Sequence, residues 1–189
     1  MESRDTKLFV ISGPSGAGKG TLVSRVREQR SNLGLTVSAT TRSPRDGEVD
    51  GVNYYFLSKE EFKRRIDEGA FVEWAEVHGN YYGTLVSEVE SKLSSGSSLV
   101  LEIDVQGALN VKKRFPDAIL IFIKPPSLEA LKERLVGRGS ETPESLALRL
   151  KDASYEMDLA DRYDAVLVND DLEQATTELA ELLDTFERN

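Results

Sequence analysis

A chain of 189 residues, 39% hydrophobic and 30% charged, has the size and composition of one main globular domain with room for a small inserted lobe. Its net charge of -9 excludes a general nucleic-acid or anionic-membrane surface, so a small anionic ligand must be held by locally gathered arginine, lysine and backbone N–H groups. The absence of cysteine excludes disulfides and thiolate metal sites, no apolar run approaches the roughly 18 residues of a membrane span, and MESRDTKLFVIS is too polar for a signal peptide, so a reducing, cytoplasmic setting is the default expectation.

In chain order, LFVIS (8–12) is a short run without polar alternation, as expected of a strand buried on both faces, and a helical pattern over 18–30 follows it. LVLEID (99–104), AILIFIK (118–124) and AVLV (165–168) repeat the signal, each followed by apolar spacings of three and four over 105–115, 128–137 and 171–187. Repeated strand–helix units predict a mostly parallel sheet covered by helices. The stretch from about 36 to 98 differs. LTVSATT, NYYFLS, AFVEWAEVHG and NYYGTLV are aromatic-rich, partly alternating runs broken by turns, which predict a small mixed sheet inserted between core strands. Two helices accompany it, one over KEEFKRRIDEG between an N-cap Ser58 and Gly69, the other over VSEVESKLSSG ended by Gly96. His78 beside Gly79 reads as a turn residue and Trp74 as a packing residue of this lobe. The segment GRGSETPES (137–145) is a glycine- and hydroxyl-rich break between two arginine-bearing helices, the composition of a mobile flap.

Directly behind the first strand stands GPSGAGKGT, residues 13–21. The pattern G-x-x-x-x-G-K, from Gly13 through Pro14, Ser15, Gly16, Ala17 and Gly18 to Lys19, lies between a predicted strand and a predicted helix, as a P-loop requires. Small residues let consecutive N–H groups converge on phosphate oxygens, the helix N-terminus adds partial positive charge, and Lys19 supplies a full one. Gly20 departs from the usual pattern, which has a Mg²⁺-coordinating hydroxyl there. Thr21 offers a hydroxyl one residue later, so the metal would rest chiefly on phosphate oxygens and water.

Other residues stand out on chemical grounds. Arg42 and Arg45 lie on a polar, proline-stiffened segment suited to clamping one dianionic phosphate, with Tyr54 and Tyr82 as added hydroxyl donors; a solvated basic loop is the alternative. Tyr55 and Tyr81 face the opposite way on a strand and pack. Glu73 is a carboxylate in the apolar run AFVEWAEV, where burial without a partner is costly and a ligand would supply one, with an exposed glutamate on an edge strand as the alternative, while Glu76 reads as surface. Glu102 and Asp104 end a core strand, where parallel-sheet enzymes mount active-site groups. Asp104 is the better candidate for orienting acceptor or metal-bound water; Glu102 has an equal structural reading.

GPSGAGKGT, SATTRSPRDGEVDGVNYYF, EWAEVHGNYYGT, LEIDVQG, GRGSET and VNDDL, in this order, resemble the guanylate kinase family from about residue 8 to 183. The resemblance implies a three-part P-loop α/β fold: an ATP-binding core over 1–36, 97–126 and 148–189, an inserted GMP-binding lobe over 37–96, and a short helical lid over 127–147. It implies transfer of the γ-phosphoryl group of ATP to GMP, and to dGMP, with Mg²⁺, by a monomer or homodimer without nucleic-acid or membrane partners. The residues of 13–21 would hold ATP together with Arg134, Arg138, Asn169 and Asp170, the last two having helix capping as an alternative. GMP would be held by Ser38, Arg42, Arg45, Tyr54, Glu73, Tyr82, Gly83, Thr84, Glu102 and Asp104, with Ser38, Glu73 and Thr84 reading the base. Lys19, Arg42, Arg134, Arg138, Arg149 and Asp104 would act on the moving phosphoryl group. Two alternatives stand beside this: a non-catalytic interaction module of the same fold, and a kinase for another nucleoside monophosphate.

Overall fold

The structure, a computed structural model, describes residues 6–77, 79–137 and 142–188. In chain order its elements are β1 (Leu8–Ser12), α1 (Lys19–Gln29), β2 (Leu33–Leu35), β3 (Ala39–Thr40), β4 (Tyr55–Phe56), α2 (Lys59–Asp67), β5 (Phe71–Val77), β6 (Asn80–Leu85), α3 (Val86–Ser94), β7 (Ser98–Glu102), α4 (Val105–Arg114), β8 (Ile119–Lys124), α5 (Leu128–Gly137), α6 (Pro143–Asp158), β9 (Ala165–Val168) and α7 (Leu172–Arg188).

Five parallel strands form the larger sheet in the order β2-β7-β1-β8-β9. Its apolar runs carry no polar alternation because both faces are covered, and successive residues serve opposite faces. Val10, Leu99, Leu101, Leu120 and Phe122 pack on one side with Val89 of α3 and Ala108 and Val111 of α4. Phe9, Ile11, Val100, Ile121 and Ile123 pack on the other with Leu22 and Val26 of α1 and Leu179 and Leu183 of α7. Each such side chain withdrawn from water contributes about 1.5–3 kcal/mol, so this double-faced core anchors whatever leaves the strand ends. No helix among the described residues is long and apolar enough to cross a membrane.

The smaller sheet runs β4-β3-β6-β5, with β3 and β4 parallel and β6 antiparallel to both β3 and β5. Its apolar core is slight: Ala39, Phe62, Phe71 and Leu85, with Phe62 of α2 stacked on Phe71 at 4.2 Å and on Tyr81 at 5.4 Å between ring centroids. Helix α2 begins where Ser58 accepts from the Glu61 N–H, and Gly69 ends it at φ 67°, a conformation that favours glycine.

The structure departs from the sequence reading at four places. LTVSATT is not one strand: Ala39 and Thr40 form β3, while its first residue, Leu35, ends β2, and Leu33–Leu35 pairs with β7 as an edge of the large sheet. That pairing joins segments far apart in sequence, and a three-residue run containing Gly34 carries no local signature of it. Strand β9 is an edge strand paired with β8 alone, so Val166 and Val168 are 44% and 41% exposed rather than buried on both faces. Trp74, on edge strand β5, is 47% exposed and meets only the rim of the small core, 6.0 Å from the Tyr81 ring. The flap segment is partly helical. Gly137 closes α5, and Pro143 opens α6 behind a capping box in which Thr142 and Ser145 bond each other's backbone N–H. Arg138 and His78 lie outside the described residues.

Candidate functional site

The loop after β1 takes the conformation its glycines permit. Gly13, Gly16 and Gly18 have φ of 144°, 92° and 90°. A Cβ on Gly13 would fall 2.0 Å from the Ile123 carbonyl oxygen, and one on Gly18 would fall 2.3 Å from Nδ2 of Asn169. Gly18 is the N-cap of α1 and provides no side-chain acceptor, so the helix presents its first N–H groups to the loop. Lys19 folds back over this loop, its Nζ donating to the carbonyls of Gly13 at 2.5 Å and Pro14 at 3.1 Å. The main chain is thus already curled around a cation, with an anion's place framed by N–H groups.

Gly20 lies on α1 itself, and a Cβ there would stand 3.4 Å from a carboxylate oxygen of Glu102. The missing side chain opens the space between the loop and that carboxylate, while the Thr21 hydroxyl is exposed on the next residue. Among the described residues no three acidic or histidine side chains are grouped to hold a metal ion.

On one side of the loop is a cavity of about 450 Å³ lined by Gly16, Gly18, Thr21, Arg134, Gly137, Asn169, Asp170 and Leu172. Arg134 donates to the Asn169 carbonyl at 2.8 Å, and the buried Asn169 side chain donates to the Ala17 carbonyl at 2.8 Å, fastening the end of β9 to the loop. Neither Asn169 nor Asp170 caps α7. That acceptor is Asp171, which takes the Gln174 N–H at 2.8 Å. From α6, Arg149 reaches the Ser15 hydroxyl at 3.0 Å.

On the other side, a cavity of about 570 Å³ lies between the two sheets, lined by Gly20, Ser24 and Arg27 of α1, by Leu35, Thr36 and Ser38, by Glu73 and Thr84, and by Glu102 and Asp104 at the end of β7. Glu73 and Thr84 are cross-strand partners, and the Thr84 hydroxyl donates to the Glu73 carboxylate at 2.8 Å. Burial raises the Glu73 pKa above its ordinary value, the Thr84 bonds oppose the rise, and the Asp104 charge adds to it. Asp104 has a structural duty besides: its carboxylate caps α4, accepting from the Gly107 N–H at 2.6 Å. Gly83 has a packing reason, since a Cβ would fall 2.7 Å from the Glu73 carbonyl oxygen.

The arginine segment lies beside this cavity rather than in its lining. The Arg42 guanidinium sits 5.4 Å from the Tyr54 ring centroid, and the Tyr54 and Tyr82 rings are 6.3 Å apart, so these three side chains converge. The Arg45 side chain is exposed, and its backbone N–H meets a residue that the sequence reading overlooked. Glu48 accepts from Arg42 at 2.8 Å and from the Arg45 N–H at 2.7 Å, which holds its carboxyl below the ordinary carboxylate value and raises the Arg42 pKa. In sequence Glu48 is an acid of a solvated turn; its position three residues after Arg45 was the available signal. Ser24, Arg27 and Thr36 were overlooked as well, because nothing local marks a helix face and a polar link as walls of one cavity; the fold brings them to Glu102 and Asp104 by pairing β2 with β7. Tyr55 and Tyr81, as expected from alternation, pack against the small core.

A family model described as guanylate kinase matches residues 5–186. The chain is 55% identical to a guanylate kinase of Clostridium perfringens, covering 93% of this chain and 82% of that protein. It is 50% identical to a guanylate kinase of Chlorobium chlorochromatii, covering 95% of each. The crystal structure of guanylate kinase from Anaplasma phagocytophilum superposes with a TM-score of 0.71 at 33% identity, covering all of this chain and 89% of that one. A glycine-rich loop between two cavities, the larger walled by the carboxylates of Glu73, Glu102 and Asp104, with this degree of likeness over nearly its whole length, places the chain in the guanylate kinase family, the ATP:GMP phosphotransferases.

Proposed function

We propose the following division of labour for ATP:GMP phosphoryl transfer. ATP lies along Gly13–Thr21 with its adenine end toward Asn169 and Asp170, and GMP places its base in the cavity between the sheets and its phosphate among Arg42, Arg45, Tyr54 and Tyr82. On binding ATP, Lys19 exchanges the Gly13 and Pro14 carbonyls for phosphate oxygens. Arg134, Arg149 and Arg138 add positive charge around the moving group. Because phosphoryl transfer spreads negative charge over that group without a covalent intermediate, positioning and cationic stabilisation are the protein's main contribution. Asp104 orients the acceptor side. The assignment is supported by one observation above all: the Glu73–Thr84 pair forms the wall of a cavity whose opposite wall begins at Gly20 of the phosphate loop.

Guanine presents N1–H and an exocyclic amino group as adjacent donors, which one carboxylate accepts in parallel, whereas adenine presents a bare acceptor beside its amino group. A hydroxyl from Ser38, or from Thr84 once guanine replaces it on Glu73, adds a donor for O6. Polar mismatch in such a site can discriminate by about 10⁴-fold. dGMP offers the same base edge and phosphate and is an expected second acceptor. Mg²⁺ suits the open space at Gly20, where Glu102 and Asp104 would anchor its water shell while phosphates hold the ion; the Thr21 hydroxyl lines the cavity on the other side of the loop and is not part of this set, and an ion bound at Gly20 would neutralise phosphate charge. A cytoplasmic location completes the proposal.

The test is kcat/KM for GMP and AMP in the wild type and in Glu73→Gln. Strong preference for GMP, with a sharp loss on GMP and a narrowed gap in the variant, is expected. A wild type that uses AMP as well as GMP, or a variant with unchanged GMP turnover, overturns the assignment of the base.

A further inference from the structure

The strands of the small sheet join the rest of the chain at two crossings, the link 36–38 between β2 and β3, and α3 between β6 and β7. One carboxylate touches both. Glu88 of α3 is only 8% exposed, yet it accepts from the Val37 N–H at 2.9 Å, from the Tyr55 hydroxyl at 2.8 Å and from Lys92 at 3.0 Å. Lys92 in turn donates to the Leu35 carbonyl at 2.6 Å. Burying a carboxylate is costly unless donors compensate it. Burial does push this carboxyl up, but the bonds from Val37, Lys92 and Tyr55 outweigh it and leave it below the ordinary value. An acid serving only as the i,i+4 partner of Lys92 would need neither the burial nor the other two donors.

The partners of Glu88 are sequence neighbours of residues assigned to the acceptor. Val37 precedes Ser38, which lines the cavity, and Tyr55 follows Tyr54, against which Arg42 stacks. The bond to the Val37 N–H fixes the main chain one residue before Ser38, and the bond to the Tyr55 hydroxyl holds a side chain that alternates in direction with Tyr54, so one carboxylate fixes the backbone on which both Ser38 and Tyr54 stand. We propose that Glu88 is a positioning residue for the acceptor nucleotide, a carboxylate that holds the link bearing Ser38 and the start of the strand behind Tyr54 at once without touching the ligand. This rests on the assignment of GMP to the cavity between the sheets. Removing the carboxylate strands a main-chain N–H and a tyrosine hydroxyl that do not line the cavity, and touches neither the phosphate loop nor the Asn169 fastening.

The experiment measures KM for GMP, KM for ATP and kcat in the wild type, Glu88→Gln, Tyr55→Phe and the double variant. GMP affinity without ATP is read from the fluorescence of Trp74, the single tryptophan, beside Glu73. Glu88→Gln is expected to weaken GMP about tenfold, the scale of one lost bond to a charged group, with KM for ATP and kcat within about twofold. Tyr55→Phe should weaken GMP severalfold, and the double variant little more than Glu88→Gln alone, because both act through one clamp. If Glu88→Gln does not fold, Tyr55→Phe carries the test by the same split. Equal losses for ATP and GMP, or a lowered Tm with unchanged GMP affinity, overturn the inference while leaving the function standing. A wild type that does not phosphorylate GMP overturns both.

Discussion

The two sheets of this molecule solve different problems. The large one is apolar on both faces, and its strands end in a loop whose shape is imposed by backbone crowding, as at Gly13 against Ile123. The small one has a core of few side chains and is otherwise tied by polar bonds: Thr84 to Glu73, Glu48 to Arg42 and Arg45, Glu88 to Val37 and Tyr55. Apolar packing is non-directional and fixes a rigid platform for chemistry common to any phosphate chain. Hydrogen bonds are directional, and they appear where, on the proposed assignment, one base is told from another.

The contrast can be broken most severely at the loop. Lys19→Ala should leave folding intact and reduce kcat by on the order of 10³-fold, the scale of a lost preorganised charge in the transition state; near-normal turnover would remove the loop from the chemistry. Next, Phe62→Ala empties the centre of the small core, at about 3–5 kcal/mol for a buried phenylalanine. It should abolish saturation by GMP while ATP affinity, measured by calorimetry, is retained, whereas the same substitution at Phe122 in the large sheet should lower the Tm of the whole protein and affect both nucleotides.

Arg42→Ala sharpens the same line. Its KM for GMP should rise by about 10- to 100-fold, from a charge-assisted contact of roughly 1.5–3 kcal/mol, with that for ATP nearly constant; parallel losses would mean that the two nucleotides are not divided between the sheets as assigned. The smallest effect concerns pH. The Glu73 pKa is raised by burial, so the free protein holds this proton to a higher pH than an ordinary glutamate. Guanine donors need the carboxylate, and GMP affinity should therefore improve as pH rises through the Glu73 pKa, then level off. The folded chain binds more protons here than the unfolded one, so ionisation costs stability as pH rises through the same range. Glu73→Gln should flatten the pH profile and raise the Tm of the ligand-free protein at neutral pH by on the order of a few degrees.

Legibility in the sequence follows the same division. The large sheet was readable because runs such as ILIFIK carry their burial in composition, and the phosphate loop because glycines at positive φ leave a spaced signature. Edges were not: β2 exists only through β7, and β9 has the apolar composition of an inner strand but one neighbour. In the small sheet Glu73 stood out as a charge among apolar residues, and the alternation of Tyr54 with Tyr55 and of Tyr81 with Tyr82 gave their facing. Glu48 did not stand out because an acid in a polar turn is ordinary, although its donors Arg42 and Arg45 are close in sequence, and Glu88 did not because the fold brings it donors from far along the chain.

The chain leaves the large sheet at Leu35 and returns to it at Ser98, and these two ends lie side by side because β2 and β7 are hydrogen-bonded neighbours, with Leu33 opposite Ser98 and Leu35 opposite Val100. In evolutionary terms this is the geometry of a cassette, whose interior can drift or be exchanged without disturbing the strands that carry the phosphate loop, provided its two ends still meet at the same spacing. With the acceptor placed as proposed, a lineage could alter most of what reads the accepting nucleotide by rewriting one contiguous stretch of gene, and inherit the phosphate loop unchanged.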